Sequence, residues 1–78
     1  MKKATELIVE NLIKLRKKFG FSQVELSQKI NYSDKAISRW EKGEVVPSID
    51  VLEQLAEIYG VKIGYFFEEH LDEKDVKI

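Results

Sequence analysis

Between Phe21 and Gly43 the chain reads FSQVELSQKINYSDKAISRWEKG, two short helical patterns parted by a polar break, and this leaves it few ways to fold. Ser22 is followed three residues later by Glu25, a capping box in which each side chain accepts from the other residue's free backbone N–H. A helix therefore starts at Gln23 and runs to about residue 30, with Val24, Leu26 and Ile30 as its apolar residues. The Asn31-Tyr32 pair breaks the pattern, and asparagine tolerates the left-handed backbone such a turn often needs. Ser33 is the next N-cap, opening a second helix over about 34–42. At about 100° per residue, Asp34, Lys35, Ser38, Arg39 and Lys42 fall within one arc of roughly 140°, and Ala36, Ile37 and Trp40 lie opposite. One side of this helix can pack while the other meets a partner.

The flanking sequence supplies helices to pack against. A first helix is expected from about Thr5 to Lys18, its stripe formed by Ile8, Leu12, Leu15 and Phe19 with Val9 and Ile13 on the flank. Gly20 ends it. Another follows Pro47 and the N-cap Ser48, carries Asp50 in its positive first turn, and turns Ile49, Leu52, Leu55, Ala56 and Tyr59 inward before Gly60 stops it. A short fifth helix near Gly64 to Glu69 holds Tyr65, Phe66 and Phe67. Seventy-eight residues, 44% apolar and 35% charged, suit one small soluble domain. The expected fold is all-α, a compact four- to five-helix bundle over 1–70, with 71–78 a charged tail or the start of a linker.

The spacing of Leu15-Arg16, Gly20-Phe21-Ser22-Gln23, Glu25-Leu26, Ile37-Ser38, Trp40-Glu41-Lys42-Gly43, Pro47-Ser48 and Leu55-Ala56 resembles that of the phage-repressor and Cro-like helix-turn-helix regulators, the XRE family. The resemblance covers about residues 7 to 68. Ser27 stands where that family usually has alanine, and Asn31 where its turn residue is usually glycine. The resemblance implies a lambda-repressor-like DNA-binding domain whose base contacts fall on Asp34, Lys35, Ser38 and Arg39. It also implies a structural ion pair between Arg16 and Glu41, joining the first helix to the end of the third.

Chemistry assigns the remaining contacts. Arg39 or Lys35 can read guanine O6 and N7; Asp34 either accepts from a cytosine amino group or only supports its helix N-terminus. Gln23, at the positive end of its helix, is expected to meet a phosphate. Tyr32, Ser33, Lys42 and the Gly43 backbone N–H are expected to hold neighbouring phosphates, fixing register without reading sequence. Lys14, Lys17 and Lys18 are either phosphate contacts or a solvated helix face. Trp40, on the apolar side, is core.

The net charge of −1 hides an asymmetry. Residues 1–43 hold ten Lys and Arg against five Asp and Glu, whereas residues 44–78 hold three against nine. The basic part contains the candidate reading helix, and the acidic part should point away from DNA. One reading helix covers only a few base pairs, so a two-fold symmetric double-stranded operator and a homodimer, at least on DNA, are expected. Tyr65, Phe66 and Phe67 either meet a second copy or cap the base of the first and fourth helices.

Nothing in the sequence points to catalysis. His70 is the lone histidine, there is no cysteine, and neither a phosphate-binding glycine motif nor a metal-ligand cluster appears. No cofactor is expected. No apolar run approaches the roughly 20 residues that span a bilayer, and no secretory segment follows Met1, so a cytoplasmic, nucleoid-associated protein without membrane contact is expected. The combined reading is a transcriptional regulator, as a repressor. The alternative is an antitoxin-like or adaptor module that keeps the fold for protein interaction with little DNA binding.

Overall fold

The computed structural model describes residues 2–70; the expected tail at 71–78 lies outside the described residues. Four α-helices and one 3₁₀ turn follow in order: α1 (Ala4–Lys18), α2 (Gln23–Ile30), α3 (Asp34–Glu41), α4 (Ile49–Tyr59) and η1 (Ile63–Phe67). Three of the four α-helices begin on a serine, because a hydroxyl there accepts one of the N–H groups that have no intrahelical partner. Ser22 Oγ accepts from Glu25 N, Ser33 Oγ from Ala36 N and Ser48 Oγ from Val51 N, at 3.0, 3.1 and 3.2 Å. Glu25 completes the capping box by accepting from Ser22 N at 2.8 Å, and that bond holds its carboxyl below the usual pKa.

α1 packs against α3 and η1, α2 against α3 and α4, and α4 against η1. The core they enclose is Ile8, Leu12, Leu15, Leu26, Ile30, Ile37, Trp40, Val51, Leu52, Leu55, Ala56, Tyr59 and Phe66. Ile49, expected to turn inward, points out at 60% exposed, and Val24, one of the apolar residues of α2, is 52% exposed. Val24 sits about 160° from Leu26 around the helix, and Ile49 stands on the first turn of α4, at the edge of its buried arc. Phe19 is also exposed, although its ring meets Tyr59 at 4.9 Å between centroids.

The short helix expected near Gly64 to Glu69 is a five-residue 3₁₀ turn over Ile63–Phe67. At three residues per turn, Ile63 and Phe66 share a face, and that face closes the core: Phe66 is fully buried and Ile63 half-buried. Asn11 holds the turn in place. Its side-chain amide donates to the carbonyls of Tyr65, Phe66 and Glu68 at 3.1, 3.0 and 2.8 Å. Lys14 Nζ donates to the His70 carbonyl at 3.0 Å, a use neither expected of Lys14 nor compatible with a freely solvated ammonium. The His70 ring stacks on Tyr65 at 3.6 Å.

Tyr59 is 5% exposed and its hydroxyl has no hydrogen-bond partner among the described residues. Burial pushes its pKa up to about 12, against a smaller opposing pull from Arg16. The unfolded phenol ionises near pH 10, so this group's contribution to stability is intact below that pH and is lost as pH rises toward 12. The loss should reach about 2 to 3 kcal/mol. Tyr59→Phe should remove that alkaline slope and be neutral or slightly stabilising at neutral pH. Thermal unfolding of both proteins between about pH 9 and 12 measures the difference; parallel curves would refute it.

Candidate nucleic-acid interface

The site is built on α3, and α3 is fixed from beneath. Ile37 and Trp40 are 1% and 6% exposed and anchor its apolar side in the core. Tyr32 packs edge-on against Trp40, centroids 5.4 Å apart. On the outward side Asp34, Lys35, Arg39 and Lys42 are exposed and Ser38 is half-buried. The five residues expected on one arc are therefore on one face, with four side chains standing in solvent.

The turn before α3 is sharp because Asn31 adopts φ 59° and ψ 34°, the left-handed conformation that ends α2. It is the one non-glycine residue with positive φ among the described residues. Ser27, where alanine is usual in the resembling family, turns its hydroxyl back onto the Val24 carbonyl at 2.6 Å, which satisfies it without a partner outside the helix.

The end of α3 is tied to both preceding helices. Arg16 from α1 donates Nε to Glu41 Oε2 at 2.7 Å and Nη2 to Oε1 at 2.9 Å, a two-pronged pair, and Nη1 to the Phe21 carbonyl at 2.9 Å. The two side chains are 13% and 7% exposed, so the ion pair is largely removed from water. The bond to Glu41 raises the Arg16 pKa, burial working the other way. Gln23, the first residue of α2, donates its Nε2 to Glu41 Oε1 at 3.0 Å. Nothing local in the sequence signals that bond, because Glu41 lies eighteen residues further along the chain.

Two of the expected phosphate contacts change in character. The Gly43 N–H donates to the Trp40 carbonyl at 3.1 Å, and Glu44 N to the Arg39 carbonyl at 3.0 Å, the paired closure that ends a helix on a left-handed glycine. Gly43, with φ 76°, therefore ends α3 and has no N–H left for a phosphate. Gln23 has spent one amide hydrogen on Glu41 and keeps the other. Ser33 accepts through Oγ as a cap, so its own O–H remains a donor; Tyr32 and Lys42 are exposed.

The three aromatics at 65–67 separate. Phe66 is core, Tyr65 is half-buried between Phe66 and His70, and Phe67 is 40% exposed. Among the described residues no group of three acidic, histidine or cysteine side chains could hold a metal ion. No helix among the described residues is long and apolar enough to cross a membrane.

Comparison with known proteins agrees with this geometry. Residues 12–66 match the family model described as Helix-turn-helix. Over 50 residues, 64% of this chain, the sequence is 46% identical to a protein of Pyrococcus furiosus named "Putative HTH-type transcriptional regulatory protein". A protein of the same designation from Thermococcus kodakarensis is 44% identical over the same length. The matched segment spans 16% of each of these relatives. Among solved structures, that of the SOS-response transcriptional repressor LexA from Eubacterium rectale superposes with a TM-score of 0.80 at 24% identity, covering 99% of this chain and 83% of that one. Hydroxypropylphosphonic acid epoxidase from S. wedmorenis superposes at 0.76 and 22% identity, covering 87% of this chain and 36% of that one. At such identities the superpositions speak for the fold alone. With the match running from the middle of α1 through η1, the chain belongs to the helix-turn-helix family.

Proposed function

We propose that this domain binds double-stranded DNA and regulates transcription, with α3 lying in the major groove. The observation that carries the reading is the outward face of α3: Asp34, Lys35, Arg39 and Lys42 are exposed together on a helix whose other side is locked into the core. A rigidly presented helix can discriminate bases, since positional error costs contacts. Asp34, Lys35, Ser38 and Arg39 are assigned to bases. Lys42, Tyr32, Ser33 and the remaining amide hydrogen of Gln23 are assigned to phosphates. The names of the Pyrococcus furiosus and Thermococcus kodakarensis relatives support regulation, and residues 1–70 are taken as the binding domain. Repression, a cytoplasmic location and a two-fold symmetric operator bound by two copies complete the proposal.

Arg39→Ala and Lys35→Ala should each weaken binding to a selected operator by about 1 to 3 kcal/mol and relax its sequence preference, without changing helicity. Gln23→Ala should weaken all sequences alike, partly by loosening Glu41. Selection from a random duplex library followed by fluorescence anisotropy at two salt concentrations measures these effects. Unchanged preference in the α3 variants would remove α3 from the reading role. No binding to duplex at low salt would favour the protein-interaction alternative.

A further inference from the structure

From Glu44 to Val61 the chain carries four carboxylates, Glu44, Asp50, Glu53 and Glu57, and no lysine or arginine. All four are exposed, and none is in an ion pair among the described residues. At about 100° per residue, Ile49, Asp50, Glu53 and Glu57 share the outward arc of α4. Ile49, at one edge of that arc, is 60% exposed, and the loop leading into α4 exposes Val45 and Val46 at 48% and 54%. The two valines border a cavity of about 120 Å³ that Thr5, Val9, Trp40 and Pro47 also line. Drug-sized ligands occupy pockets of about 300 Å³ or more, so this cavity suits a single aliphatic side chain.

We propose that the loop at 45–48 and the acidic arc of α4 form a docking surface for a cationic amphipathic helix of a partner protein. One apolar side chain of that helix enters the cavity, and flanking lysines or arginines meet Asp50, Glu53 and Glu57. The charges select this occupant. Duplex phosphates would be repelled by the carboxylates. A second copy related by a two-fold axis through the patch would set the same acids against themselves. A basic partner turns each of these repulsions into attraction while covering the three aliphatic side chains. This surface is separate from the outward face of α3 and does not depend on DNA binding.

Selection of a phage-displayed random peptide library on the immobilised 78-residue chain, with NMR shift mapping of the enriched peptides, tests the proposal. Enriched peptides should combine an apolar anchor with flanking Lys or Arg and shift the amides of Thr5, Val9, Val45, Val46 and residues 48–53. Ile49→Ser and Glu53→Lys, both at exposed positions, should each weaken binding about tenfold or more with unchanged thermal unfolding. Failure to enrich, enriched peptides lacking basic residues, or shifts mapping elsewhere would overturn it. So would self-association in sedimentation that Ile49→Ser abolishes, or the same amide shifts on adding random duplex DNA.

Discussion

Glu41→Ala should destabilise the domain by about 3 to 5 kcal/mol in urea unfolding, because it strands a largely buried guanidinium. The carboxylate accepts from Arg16 Nε, Arg16 Nη2 and Gln23 Nε2, so its removal leaves three donors in a space that water reaches poorly. The pair's favourable Coulomb energy is not what is lost, since desolvation offsets much of it; the cost lies in the unpaired charge left behind. Replacing both partners with apolar residues of similar size should therefore restore much of the stability, and a double-mutant cycle isolates the coupling. A loss below about 1 kcal/mol for Glu41→Ala would mean the pair behaves as a solvated surface bridge. Because the network joins α1, α2 and α3, the variant should also loosen the outward face of α3 and reduce binding to all duplexes.

Asn11→Asp is expected to cost more than about 3 kcal/mol at neutral pH. Asn11 is 2% exposed and points its amide at three carbonyls. A carboxylate there would face oxygen against oxygen, losing the donors and burying a charge without a partner. Protonation restores one donor, so the folded-state pKa of the new group should lie above its unfolded value near 3.9. The sign follows: stability is retained below the unfolded pKa and is lost as pH rises through the folded one. Asn11→Leu, which removes the donors without adding charge, should cost less and show no such slope. Equal losses for the two variants at acid and neutral pH would contradict this account.

Much of the architecture is legible in local chemistry. Serine caps at 22, 33 and 48 mark three helix starts, and Gly20, Asn31 and Gly60 mark stops where the backbone turns left-handed. What the sequence hides is any feature that depends on which distant group lies opposite. Asn11 falls on the same helical face as Ile8, Leu12 and Leu15, yet a scan for apolar periodicity passes over it, because its three acceptors lie more than fifty residues away. Gln23 reads as a free residue at a helix N-terminus until Glu41 is placed beside it at 3.0 Å. The Gly43 N–H reads as free until the end of α3 is seen to close on it. Ile49 fits an inward pattern and fails at the helix end. The polar arc of α3, by contrast, needs only helical geometry and an inward Trp40, and it is legible in the sequence alone.

The clasp between Asn11 and the 3₁₀ turn also bears on the order of folding. Its hydrogen bonds join residues separated by 54 to 57 positions, whereas α2 and α3 are neighbours in sequence and pack directly on one another. Closing a long loop costs more chain entropy than closing a short one, so the α2–α3 pair with Leu26, Ile30, Ile37 and Trp40 is expected to form first and η1 to dock late. Weakening the clasp should then accelerate unfolding while leaving the folding rate nearly unchanged. In hydrogen exchange, the amides of η1 should open before those of α3, leaving the outward helix in place while Phe66 leaves the core.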